Sequence, residues 1–328
     1  MKKFFVSCVL TSIVPVAMAE TNPKICMILD KAGKDDQSFN QEAYNGFQKA
    51  LKTLPISKDS KVIEAKEESH LKQIIRTFVN NKCSIIFSVG INNADAIKNL
   101  APSFPKQKFA VIDTKVTHEN VRSIVFQDEQ GAFLMGAIAA IKTKTGKIGI
   151  IGGMNIPLIQ KFEKAYIAGA KKINPKIEVM TGYVGVSVEA WNNPTKAQEL
   201  ALNQYAQGVD IIFHAAGGSG LGVFNAAEQA SIKKTKKYAI GCDSNQNWIK
   251  PGIILTSLIK DIDKSVMDTI HSILDNNFTT GVYTYNLENK GINWAYDKYN
   301  ESLFTKEEIQ KINLIKKEII ELKQETIN

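Results

Sequence analysis

The sequence predicts an α/β protein of two doubly wound, parallel-sheet domains joined by a three-segment hinge. Short apolar runs alternate with helical periodicity along the whole chain, the pattern of buried parallel strands covered by helices. The cycle of strands and helices runs twice, and 328 residues is the length of two domains. The segments that cross between the cycles, near 126–129, 254–258 and 279–286, hold no Gly/Ser-rich or Pro-rich linker, so they are expected side by side as a hinge. The expected division is 20–127 with 256–281 in one domain, and 128–255 with 282–328 in the other.

In the first cycle Lys24–Asp30 reads as a buried strand. The helix Ser38–Leu51 follows, opened by a capping box in which Ser38 caps and Gln41 reaches back. Ser60–Glu64, Ser84–Val89, Phe109–Asp113 and Val121–Phe126 read as strands, with helices at Ser69–Asn81 and Asn93–Leu100. The second cycle has strands at Lys147–Ile151, Glu178–Val186, Asp210–His214, Tyr238–Cys242 and Ile253–Lys260. Its helices are Gln130–Lys142, Ile156–Ile173, Pro194–Gln207 and Gly222–Lys233. The helix Ile262–Asp275, short strands at Val282–Leu287 and Ile292–Ala295, and the amphipathic helix Phe304–Lys323 close the chain.

Residues 1–19 read as a cleaved secretory signal peptide: Lys2 and Lys3, an apolar run from Phe4 to Val16, then Ala17-Met18-Ala19. The run is too short for a membrane span. Too little apolar sequence precedes Cys8 for a lipoprotein signal, so a soluble periplasmic protein is expected. Cleavage removes two lysines and no acid, taking the formal charge from +8 to +6. The lysines are scattered and form no basic stripe with stacking aromatics, which argues against nucleic acid as a partner. Cys26, Cys83 and Cys242 each sit in or beside an apolar run, and an odd count leaves one unpaired. They are expected as buried thiols.

No familiar catalytic or metal pattern is present. The four His residues lack metal spacing, and there is no H-E-x-x-H, C-x-x-C or G-x-S-x-G. The run from Gly217 to Gly222 fits neither a Walker A nor a dinucleotide fingerprint. It nevertheless follows a strand and opens a helix, where Gly217 and Gly218 can offer backbone N–H groups to an oxygen-rich ligand. Ligands on such sheets sit at the carboxyl ends of strands, so the cleft between the domains is the expected site. Asp30 ends the first strand, where a buried carboxylate needs donors. Phe39 lies in the first turn of the next helix, near the cleft. Asp35 and Asp36 read as loop and helix-dipole residues.

The block Leu29–Gln41 (LDKAGKDDQSFNQ) resembles the N-terminal signature of the basic membrane protein family, also called PnrA-like nucleoside-binding proteins. Phe126–Gly136, Ile151–Met154, Gly208–Gly220, Gly241–Gln246 and Leu255–Lys260 match further family blocks in order. The resemblance implies a type I periplasmic-binding-protein fold and a monomeric substrate-binding component of an ABC importer. Its partners would be a purine nucleoside, a permease and an ATPase, with no cofactor and no catalysis. By the same resemblance Asp30 and Phe39 contact the base, and Phe213 completes an aromatic sandwich. Asp243 and Lys260 hold the ribose, with either Asp113 or Asp128 from the first domain. Ala32 and Lys34 depart from the family's usual Gly and apolar residue. Val184–Trp191 resembles a proteobacterial branch, in which Trp191 either closes the cleft or caps a core. Two alternatives remain at this level: a sugar or signalling ligand on the same fold, or a nucleoside-processing enzyme using Asp35-Asp36.

Overall fold

The computed structural model describes residues 22–231 and 235–321, so the expected signal peptide and Cys8 lie outside the described residues. The chain runs through β1 (Ile25–Leu29), α1 (Phe39–Thr53), β2 (Lys61–Glu64), α2 (Glu68–Asn80), β3 (Ile85–Val89), α3 (Ile91–Leu100), β4 (Lys108–Ile112) and β5 (Val121–Phe126). It then crosses to α4 (Asp128–Lys142), β6 (Lys147–Met154), α5 (Pro157–Ile173), β7 (Glu178–Gly185), α6 (Pro194–Ala206), β8 (Ile211–Ala215), α7 (Gly220–Ala230), β9 (Tyr238–Gly241) and β10 (Ile254–Lys260). The segments α8 (Ile262–Leu274), β11 (Gly281–Tyr285), β12 (Ile292–Trp294) and α9 (Lys306–Glu321) complete it.

Two six-stranded sheets result, in the orders β11-β5-β4-β3-β1-β2 and β12-β10-β9-β8-β6-β7. Among the described residues every pairing of these strands is parallel except β10 with β12. Period-two alternation sorts the side chains between the two faces. Ile25, Met27 and Leu29 face one helical layer, while Cys26 and Ile28 join Leu71, Ile75 and Phe78 of α2 on the other. In the second sheet Ile211, Phe213 and Ala215 point one way and Ile212 the other.

The sheets move two of the expected domain boundaries. All of β10 belongs to the second sheet, so the return crossover comes at Asp261, after residue 256. Strand β11 pairs with β5 in the first sheet, so the last crossover follows Tyr285 rather than residue 281. Helix α8 packs on α1, and α4 packs on α5. Each crossover is short: Gln127, Asp261 and residues 286–291.

Two local expectations are corrected. The Ser38 side chain does not cap α1. Asp36 does so instead: Oδ1 accepts from the N–H groups of Ser38 and Gln41, and Oδ2 from that of Asn40. A carboxylate at a helix N-terminus also meets the positive end of the dipole, which a hydroxyl cannot exploit as well. The cysteines are not all thiols. Cys26 and Cys83 form a disulfide, and Cys242 is free and buried. Strands β1 and β3 are parallel neighbours with Ile25 beside Ile85, which brings Cys83, just before β3, next to Cys26.

Candidate ligand-binding cleft

A cavity lies between the two sheets at the carboxyl ends of their strands, with about 560 Å³ of unfilled space including its mouth. The first lobe contributes Asp30 after β1, Asp36, Phe39 and Asn40 at the start of α1, Gly90 to Asn92 after β3, and Asp113 after β4. The second contributes Leu158, Ile159 and Phe162 of α5, Trp191, Ala215 and Gly217 after β8, Cys242 and Asp243 after β9, and Lys260 at the end of β10.

At one part of the wall Asp30 is locked in place. Its Oδ1 accepts from the Ala32 N–H at 3.0 Å and from Asn40 Nδ2 at 2.8 Å, and the Asn40 Oδ1 accepts from the Asp30 N–H. The same Asn40 amide also donates to Asp36. Burial pushes the Asp30 carboxyl up to about 6, against the pull of these donors, with Asp36 adding to the rise. Burial also raises Asp36, although its hydrogen bonds oppose the shift.

A second cluster is built around Lys260, which is buried. Its Nζ lies 2.6 Å from Asp113 Oδ1, 3.1 Å from Asp128 Oδ1 and 3.9 Å from Asp243 Oδ1. Burial alone would drive the ammonium toward neutrality, but Asp113, Asp128 and Asp243 hold it charged, well above the ordinary lysine range. Burial raises Asp128 well above its usual value, opposed by Lys260 and reinforced by Asp113. The ammonium stands 5.1 Å from the Phe39 ring centre and 4.9 Å from that of Phe126, distances at which ring faces attract a cation. Asp113 and Asp243 both carry left-handed backbone, φ 77° and φ 69°, just after their strands. Such sparsely populated geometry costs free energy and concentrates at functional sites.

The structure brings Asp30, Phe39, Asp113, Trp191, Gly217, Asp243 and Lys260 to one cavity wall. Asp128 opens α4 in the second lobe, not the first, and contacts Lys260 without bordering the cavity, so of the two candidate carboxylates only Asp113 lines it. Gly218 is not on the wall; it sits beside Asp36 where the lobes meet. Phe213 is corrected. It is fully buried in mid-β8, with ring centres 6.4 Å from Phe162 and 5.4 Å from Tyr166, and does not line the cavity. The strand reaches the cleft two residues later, at Ala215. The aromatic wall on that side comes from Phe162 and Trp191, and Trp191 therefore faces the cleft. Its indole N–H is buried with no acceptor among the described residues.

The glycine run also reads differently. Gly217 has φ 53°, a turn that a side chain would strain, and it borders the cavity. A Cβ on Gly220 would fall 2.1 Å from the His214 ring, so that glycine answers to packing. Sequence reasoning missed Phe162, Asn40 and Asn92. The available signal was position: each lies in the first turns of a helix that follows a strand, where clefts of such sheets form.

A profile of the family described as ABC transporter substrate-binding protein, PnrA-like, matches residues 24–326. The CD4+ T-cell-stimulating antigen of Listeria monocytogenes is 32% identical, with 90% of this chain and 86% of that protein covered. The ABC transporter nucleoside-binding protein BmpA of Lactococcus lactis is 32% identical, over 85% and 83%. A solved structure of ABC transporter system solute-binding proteins from Aeropyrum pernix superposes with a TM-score of 0.82 at 24% identity, covering 91% of this chain and 92% of that one. The fold is accordingly that of periplasmic binding proteins, two lobes with a ligand cleft between them.

Proposed function

The chain belongs to the PnrA-like family of ABC-transporter substrate-binding proteins, and from that premise we propose that it is an extracytoplasmic receptor for a purine nucleoside, which it binds without turnover and delivers to a permease. The observation that carries the reading is the composition of one cavity. Flat apolar rings, Phe39 from the first lobe and Phe162 and Trp191 from the second, suit a planar base, whose burial between aromatic faces excludes water. Among the described residues one carboxylate oxygen of Asp30 has no donor, leaving an acceptor suited to N–H groups on a base edge. Lys260 with Asp113 and Asp243 offers one cation and several acceptors to sugar hydroxyls. The buried Trp191 N–H awaits an acceptor that a ligand would supply. The name of the Lactococcus relative supports the same ligand class.

Binding groups come from both lobes, so a ligand bridges them and favours the closed form, hinge closure of the kind binding proteins use. A ligand lacking the donors that Asp30 expects would leave its second carboxylate oxygen unpaired in the closed cleft and be rejected. The test is calorimetric titration of protein that has been unfolded, freed of ligand and refolded. Guanosine, adenosine, inosine, cytidine and ribose are added separately. Saturable one-to-one binding of a purine nucleoside, with no base released, is the expected result. Binding of ribose with silence toward every nucleoside would overturn it.

A further inference from the structure

The geometry points to a latch between the lobes, made by Ser244 and Gln246 on the carbonyl of Gln37, which sets affinity without touching ligand. It rests on the closure of the lobes about a ligand proposed above. Gln37 belongs to the first lobe, in the turn before α1. Ser244 and Gln246 belong to the second, in the turn after β9. The Ser244 hydroxyl donates to Gln37 O at 2.9 Å and the Gln246 Nε2 at 2.8 Å, so one carbonyl receives two donors from across the cleft. None of these three residues lines the cavity.

The donor on Gln246 is aimed in advance by its own lobe. Its Oε1 accepts from the Cys242 N–H at 2.8 Å and lies 3.1 Å from His214 Nε2. Two groups at the amide oxygen fix which way the amide faces, and the NH₂ is left pointing at the first lobe. The same oxygen makes His214 Nε2 the protonated ring nitrogen, and burial, holding the ring's pKa down to about 4, keeps the imidazole neutral. The side chain is fully buried, so it cannot swing to another partner. On the facing side Gln37 has left-handed backbone, φ 57°, in the turn that Asp36 anchors. Each half is thus held by contacts within its own lobe.

A latch of this kind changes the open–closed equilibrium and so scales the apparent affinity of every ligand by the same factor. Contacts to ligand change the ranking of ligands instead. Ser244→Ala removes one neutral hydrogen bond, for which an affinity loss of about fivefold is expected. Gln246→Glu keeps the oxygen that Cys242 and His214 need and sets a carboxylate oxygen against the Gln37 carbonyl, for a larger loss. Both losses should come from faster dissociation, with the order among nucleosides and their affinity ratios unchanged. Small-angle scattering of the ligand-free variants should give a larger radius of gyration than wild type, a readout that needs no ligand and therefore stands even if the protein takes no nucleoside. The latch is overturned if both variants keep wild-type affinity and wild-type scattering, or if either reorders the ligands.

Discussion

Asp30 is held by Asn40 and Ala32 on one oxygen, in surroundings that raise its carboxyl to about 6 from 3.8. The folded chain therefore holds this proton more tightly than the unfolded chain. Folding free energy is lost as pH rises from about 4 to 6, and the loss persists above that. Ligand-free Asp30→Asn should consequently be more stable than wild type at pH 7.5, by about 1–3 kcal/mol, with the advantage shrinking toward pH 4. Its nucleoside affinity should fall. Thermal melts across pH check the first outcome, and a variant that melts below wild type at pH 7.5 would contradict it. Phe39 and Phe213 separate in the opposite manner. Phe39→Ala should cost about 2 kcal/mol of binding, the scale of a central contact. Phe213→Leu should lose about 1 kcal/mol of stability and leave affinity within about twofold, because it packs under α5. Titration and denaturant melts on the same samples distinguish the two. Phe39 was legible only through the family resemblance of the Leu29–Gln41 block, since its place in the first turn of a helix fits core packing equally well. Phe213 was not, because the face its strand turns to the cleft depends on how α5 covers the sheet.

Strands and helices were almost all legible, since buried parallel strands and amphipathic helices print different periods. What period cannot give is which strands become neighbours. The disulfide shows the cost: Cys26 and Cys83 are 57 positions apart, and only the adjacency of β1 and β3 brings them together. After removal of residues 1–19, the unreduced chain in denaturant should show one reactive thiol, Cys242, rather than three. A count of three in a thiol assay would remove the disulfide from this account. Replacing both cysteines by alanine should lower stability by about 2–4 kcal/mol, the effect of opening a loop of this size. The cap of α1 was half legible. Asp36 was placed at the helix dipole, but the four bonds it accepts, and the line they make through Asn40 to Asp30, appear only when the turn is folded. That turn couples helix initiation to the site: the residue that starts α1 also steadies the carboxylate of the cleft.

The two lobes share the chain unequally. The first lobe takes α8 and β11 from the far end of the sequence, and the second takes β12 and α9 after them. The sequence showed three crossings, but misplaced two of them because strands on either side of a crossing look alike by composition. A fragment covering residues 20–127 should not fold. It lacks the strand that pairs with β5, and the helix that seats against Gly46, where a Cβ would come within 2.6 Å of the Asp263 carbonyl. Circular dichroism with dye binding should find a collapsed, aggregation-prone chain, and a sharp cooperative melt would refute this. The interleaving also has a meaning in time. As the polypeptide is made, the edge of β5 waits bare until residues 281–285 have been synthesised, and neither lobe can lock early. The same topology that hinges the two lobes therefore ties the completion of both to the last segments of the chain, so that folding should finish only when synthesis is nearly over.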